Sequence, residues 1–116
     1  MACFCTKLKL EADLCAGPIW CLTCNANLYL DELALSPQLK NELVQWALKY
    51  GEWIDWERDY LLKNGLELER QHNLWGILLT KQMQQELGQR YSITLSPSTS
   101  AQFYANSQQN FKEYSY

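Results

Sequence analysis

The chain is poor in most of what a catalyst or a nucleic-acid binder needs. Its 10 Lys and Arg stand against 13 Asp and Glu, a formal net charge of −3. There is no surplus of cations to neutralise a phosphate backbone, so direct nucleic-acid binding is not expected. It has 1 histidine, His72, and no Gly-rich phosphate loop or nucleophile elbow accompanies it. No apolar run approaches the ~18 residues of a membrane span, and the N-terminus lacks a basic stretch leading into an apolar one. A cytoplasmic protein without a membrane partner is the expectation. No internal repeat and no linker divides the chain.

What is there is apolar and aromatic. With 116 residues, 47% hydrophobic and 13% aromatic, the chain is large enough for one core that needs neither a metal nor a disulfide. Leu8, Leu10, Ala12 and Leu14 alternate with Lys7, Lys9, Glu11 and Asp13, the period of a half-exposed strand. Ala16-Gly17-Pro18 breaks the chain before Ile19-Trp20-Cys21-Leu22, a second strand antiparallel to the first. Ser36-Pro37 offers a capping hydroxyl and an N1 proline to a helix carrying Leu39, Leu43, Trp46, Ala47 and Tyr50, stopped at Gly51. A second helix starts between Leu66 and Glu69, with Leu74, Trp75, Leu78, Leu79, Met83 and Leu87 on one face and Gly88 as its C-cap. Tyr91, Ile93 and Leu95 alternate as a further strand.

These elements predict an α+β domain over residues 1–97, a sheet of three strands or more against two main amphipathic helices. The remaining 98–116 reads as a polar, flexible tail, with Phe103, Tyr104 and Phe111 as the residues able to dock it.

The 5 cysteines, Cys3, Cys5, Cys15, Cys21 and Cys24, all precede residue 25. An odd number without a secretory leader favours reduced thiols. Cys21-Leu22-Thr23-Cys24 has the CxxC spacing of a zinc knuckle. The second ligand pair such a knuckle needs is not evident, because Cys3-x-Cys5 is spaced too tightly. The expectation is therefore no cofactor and no metal. A zinc site built from Cys15, Cys21, Cys24 and one more thiol is the alternative. His72 beside Glu67 or Glu69 would be the base of an enzyme reading, but a lone histidine in a polar helix turn is ordinarily a solvated or capping residue.

The densest feature is Tyr50 to Tyr60, which puts four large aromatics and four acids into eleven positions. From Glu52 to Glu69 there are six acids against Arg58 and Lys63. Trp and Tyr bury area at low entropic cost and acids steer a basic partner, so this composition suits an interface. The candidate contact residues are Glu52, Trp53, Asp55, Trp56, Glu57, Asp59 and Tyr60, with Glu67 and Glu69 at the edge. Trp53 and Trp56, three residues apart, share one side of a turn, and one of them is expected to close the core.

Gly17-Pro18-Ile19-Trp20-Cys21-Leu22, Leu35-Ser36-Pro37-Gln38-Leu39-Lys40 with Trp46-Ala47, Trp53-Ile54-Asp55-Trp56, and Glu86-Leu87-Gly88 with its following strand carry a resemblance. The chain resembles small bacterial immunity proteins encoded beside polymorphic toxins, particularly those of contact-dependent growth inhibition, over residues 17–96. The resemblance implies a non-enzymatic protein that binds the C-terminal domain of a cognate toxin, often a nuclease with a basic cleft. It would block the active site or access to substrate. Such a task calls for nanomolar affinity or better, on the order of −12 kcal/mol. The competing reading is a cysteine-based zinc module whose helices form a regulatory interaction surface.

Overall fold

A computed structural model describes residues 3–113, with side chains through 107. The expectations that fall on residues 1–2, on 114–116 and on the side chain of Phe111 lie outside what it describes. Strands β1 (Lys7–Leu10) and β2 (Ile19–Cys21) form the expected antiparallel hairpin, with Leu8 opposite Cys21 and Leu10 opposite Ile19. This register places all four side chains on one face, and each is 0% exposed. The first strand ends sooner than its alternation suggests. Asp13 Oδ1 accepts the backbone N–H groups of Cys15 and Ala16 at 2.8 and 3.1 Å, an Asx turn that outcompetes strand pairing and leaves Leu14 exposed.

Strand β3 (Asn27–Leu28) pairs antiparallel with β2. The chain then passes through a 3-10 turn at Leu30–Glu32 into helix α1 (Pro37–Leu48). Ser36 caps α1 as its sequence predicts, accepting the Leu39 N–H at 3.2 Å. Leu39, Leu43 and Trp46 form its buried face. Two short strands, β4 (Ile54–Asp55) and β5 (Tyr60–Leu61), make a separate antiparallel hairpin. Helix α2 (Gly65–Leu87) follows, and β6 (Ser92–Leu95) returns parallel to β1. The main sheet therefore has the order β3-β2-β1-β6, four strands where three were the minimum expected.

Two helix expectations need correction. On α2 the buried stripe runs through Glu69, His72, Gly76, Leu79 and Met83, whereas Leu74 and Leu78 are 47% and 58% exposed. Each lies two positions, about 200°, round the helix from His72 or Gly76, and so faces away from the core. There is also a third helix, α3 (Ser100–Glu113), in the stretch whose composition read as a tail. Two helices were expected; the described residues contain three. Its docking creates a second, smaller core in which buried Trp53, Ile54 and Ala101 are surrounded by Tyr50, Leu61, Leu68 and Tyr104.

Candidate functional site

The acid and aromatic run folds as the β4–β5 hairpin together with the turn that leads into it. Gly51, at φ 85, reverses the chain after α1. A Cβ there would meet the Trp56 ring at 2.9 Å, so the glycine admits both the left-handed backbone and the indole lying across it. Trp56 Nε1–H donates to the Gly51 carbonyl at 3.1 Å. Asp55 organises the tip: its Oδ1 accepts the N–H groups of Glu57 and Arg58, each at 3.1 Å. Asp59 sits at φ 56, a conformation that Asp tolerates better than most residues. Its Oδ1 accepts the Tyr104 hydroxyl at 2.6 Å, which holds the tip against α3 and raises the pKa of that tyrosine.

The nine sequence-predicted contact residues divide cleanly. Trp53 is 0% exposed, with its Nε1–H donating to Ser100 Oγ at 2.9 Å, and so offers no surface to a partner. Glu69 is 6% exposed and serves α3 instead: its Oε2 accepts the Ala101 N–H at 2.8 Å and the Ser98 hydroxyl at 2.7 Å. A carboxylate at free N–H groups of a helix N-terminus is favourable there. Trp56 is 53% exposed and Tyr60 36%, beside exposed Glu52, Glu57 and Asp59 and half-buried Asp55. Glu67, also exposed, is held down to a pKa of about 2 by Arg70 and Gln71, which donate to its carboxylate.

Several of these charges are already partnered. Arg58 lies 3.9 Å from Asp55, and Lys49 lies 3.7 Å from Glu52; such exposed pairs contribute little and exchange readily. Among the described residues Glu57 has no ion-pair partner. The free anionic edge thus centres on Glu57, with Trp56 beside it.

His72 has no place in a catalytic constellation. It is buried and stacked on Trp46, with ring centroids 4.4 Å apart and planes at 12°. Its Nε2–H donates to the Trp46 carbonyl at 2.9 Å, and Trp46 Nε1–H returns a bond to the His72 carbonyl at 2.9 Å. This reciprocal pair bolts α1 to α2. Burial lowers the His72 pKa, and Nδ1 is left without a hydrogen-bond partner among the described residues.

Four of the five thiols converge. Cys3, Cys5, Cys21 and Cys24 have their sulfurs all within 4.8 Å of one another. The closest pairs are Cys3 with Cys21 at 3.6 Å and Cys5 with Cys24 at 3.7 Å. Cys24 and Thr23 direct their backbone N–H groups at Cys21 Sγ, each at 3.4 Å, and hold that thiol down to about 6, with Cys24 the stronger. Desolvation, with the neighbouring thiols, pushes Cys5 up to about 12.

The alternative ligand set read from the sequence is corrected in two ways. Cys15 lies in the closed loop of the β1–β2 hairpin, whereas Cys5 and Cys21 lie at its open end, so the topology separates them. The missing second pair is Cys3 and Cys5. Spacing alone obscured this, but the strand pairing makes it legible, since residues just before β1 must meet residues just after β2 when Leu8 faces Cys21.

No helix among the described residues is long and apolar enough to cross a membrane. Curated proteins offer no match to the chain. A family model described as Serratia CdiI immunity protein-like matches residues 6–98, from the residue before β1 to the serine held by Glu69, and so takes in the main sheet, helices α1 and α2 and the hairpin, and stops before α3. On that coverage the chain belongs to the Serratia CdiI immunity protein-like family, a family of non-catalytic interaction modules in contact-dependent growth inhibition.

Proposed function

We propose that this immunity protein neutralises its cognate toxin by laying the β4–β5 hairpin into the basic substrate cleft of the toxin's C-terminal domain, a nuclease, in the cytoplasm of the cell that makes it. Occupying the cleft blocks the active site or the path of the substrate to it, and requires neither contact with nucleic acid nor a cofactor. One observation carries the reading: the hairpin exposes Trp56 next to Glu57, which has no ion-pair partner among the described residues, while Trp53 anchors it from beneath. A rigid aromatic anchor flanked by acids is the composition of an interface hot spot with electrostatic steering. Glu52, Asp59 and Tyr60 extend the surface, and Glu67 lies at its margin. Asp55 shapes the tip more than it touches a partner, because its carboxylate is committed to the turn.

The test is calorimetric and kinetic binding to the toxin domain encoded beside this protein. Trp56→Ala is expected to weaken affinity by about 30-fold or more. Glu52→Lys with Glu57→Lys is expected to slow association by about 10-fold at low salt and to flatten its salt dependence. If all three substitutions leave a folded protein whose affinity and salt response match the wild type, the hairpin is not the interface.

A further inference from the structure

We propose that Cys3, Cys5, Cys21 and Cys24 bind one zinc ion as a closed tetrathiolate site that clips the segment before β1 to the β2–β3 turn. This goes beyond toxin binding and stands whether or not the hairpin is the interface.

The argument begins with geometry. Four sulfurs at about 2.3 Å from a central zinc lie about 3.8 Å from one another at the corners of a tetrahedron. Here two opposite edges measure 3.6 and 3.7 Å, and all the others fall within 4.8 Å. A disulfide needs two sulfurs. Convergence of four on one point, drawn from two separated stretches of chain, is what a metal needs.

The surroundings suit thiolates. Cys21 Sγ accepts the N–H groups of Thr23 and Cys24, and Cys3 Sγ accepts the Cys5 N–H at 3.3 Å. Backbone donors aimed at ligand sulfurs spread thiolate charge and fix ligand orientation. The CxxC turn is itself closed by Asn25 N–H donating to the Cys21 carbonyl at 2.9 Å, with Asn25 at φ 61. Cys5, at φ 52, is likewise in the left-handed region, where a residue with a Cβ costs energy unless the surroundings fix it. Both strained positions belong to or directly follow a ligand.

A soft donor set of four thiols selects zinc over hard cations, and with all four corners taken by protein no position is left for water or substrate. The site is structural, not catalytic. Binding replaces up to four thiol protons, which pass to solvent, so that the zinc and its four thiolates together carry a charge of −2. Because the ligands come from either side of the β1–β2 hairpin, the binding energy becomes folding energy for this end of the sheet.

The experiment uses the full chain, purified under reducing conditions without chelator. Elemental analysis is expected to find one zinc per chain, retained in Cys15→Ser and lost in Cys24→Ser. Because the latter could fail to fold, the wild type is also stripped of metal and titrated with cobalt(II). The intense visible bands of tetrahedral cobalt thiolate are expected at one equivalent, in Cys15→Ser as in the wild type. In the loaded protein a thiol reagent is expected to modify Cys15 rapidly and the other four slowly. Folded wild type that yields no such cobalt spectrum overturns the proposal. So do five thiols of equal reactivity in zinc-containing solution, or Cys3–Cys21 and Cys5–Cys24 disulfides in freshly isolated protein.

Discussion

The β4–β5 hairpin and the thiol end of the main sheet are both made of very short strands joined by tight turns, yet they are held by different means. The hairpin has its own small core. Buried Trp53 and Ile54 form its inner side, α3 packs against it, and its tip is closed by the Glu57 and Arg58 N–H bonds to Asp55, so a two-residue ladder persists although such a ladder alone is marginal. At the thiol end, Phe4 and Leu22 are 87% and 52% exposed, and what converges is sulfur. On the proposed reading the hairpin meets a partner, and such a surface needs rigidity before the partner arrives, because ordering a loop on binding subtracts from affinity. An end that only has to stay closed can rely on a ligand.

The sharpest way to break this comparison is Trp53→Ala. Removing a fully buried Trp costs about 3–5 kcal/mol, so thermal unfolding should shift to markedly lower temperature by the same amount with or without a chelator. The Ser100 hydroxyl loses its indole donor as well, and α3 should show faster amide exchange. A mild effect on the melt would mean that the hairpin, too, depends on something beyond its own packing.

Glu69→Gln probes the same anchor more gently. It keeps the shape and removes the charge that receives Ala101 N–H and Ser98 Oγ. Charge-assisted hydrogen bonds of this kind contribute about 1.5–3 kcal/mol, so a loss of about 2 kcal/mol is expected in denaturant melts. Faster exchange should be confined to α3 and the hairpin. If exchange rises equally at β1 and β2, the two regions are one cooperative unit and the contrast between them fails.

How much of this was legible in the sequence follows the range of the interactions. Ser36-Pro37 and Gly88 announce the ends of helices through bonds that span a few residues, and both stand where the sequence puts them. Leu8 to Leu10 pairs with Ile19 to Cys21 as alternation and a turn require. Helix α3 has no such local signal. Its N-terminal amide is satisfied by Glu69, and its first serine by Trp53, both remote in sequence, so composition pointed to a tail. For the same reason Glu69 and Trp53 passed for contact residues: acid and aromatic character is visible in a string of letters, but the direction a side chain faces is decided by what packs against it. The thiol cluster fell between these cases. CxxC is a local sign, but its complement became visible only through the antiparallel register.

The smallest expected effect concerns acid, and it tests whether the hairpin side has a weak point that the thiol end lacks. His72 joins α1 to α2 directly behind Tyr50 and Trp53, with ring centroids 6.2 and 5.2 Å from theirs. Burial lowers its pKa below the ordinary 6.5, against weaker opposing pulls from its bond to Trp46 and from Glu52 and Glu69. The folded state therefore favours the neutral ring. Above pH 6.5 both folded and unfolded chains hold it neutral, and its contribution to stability is fully present. As pH falls below 6.5 the unfolded chain takes up a proton that the folded chain refuses, so stability declines by at most about 1.4 kcal/mol per pH unit until the folded pKa is passed. Melts between pH 8 and 5 should show that decline, and the ring protons of His72 should titrate below the value of a free histidine. A histidine signal moving at or above 6.5 would show that the ring is solvated, and that the bolt between the two helices is looser than its stacking on Trp46 implies.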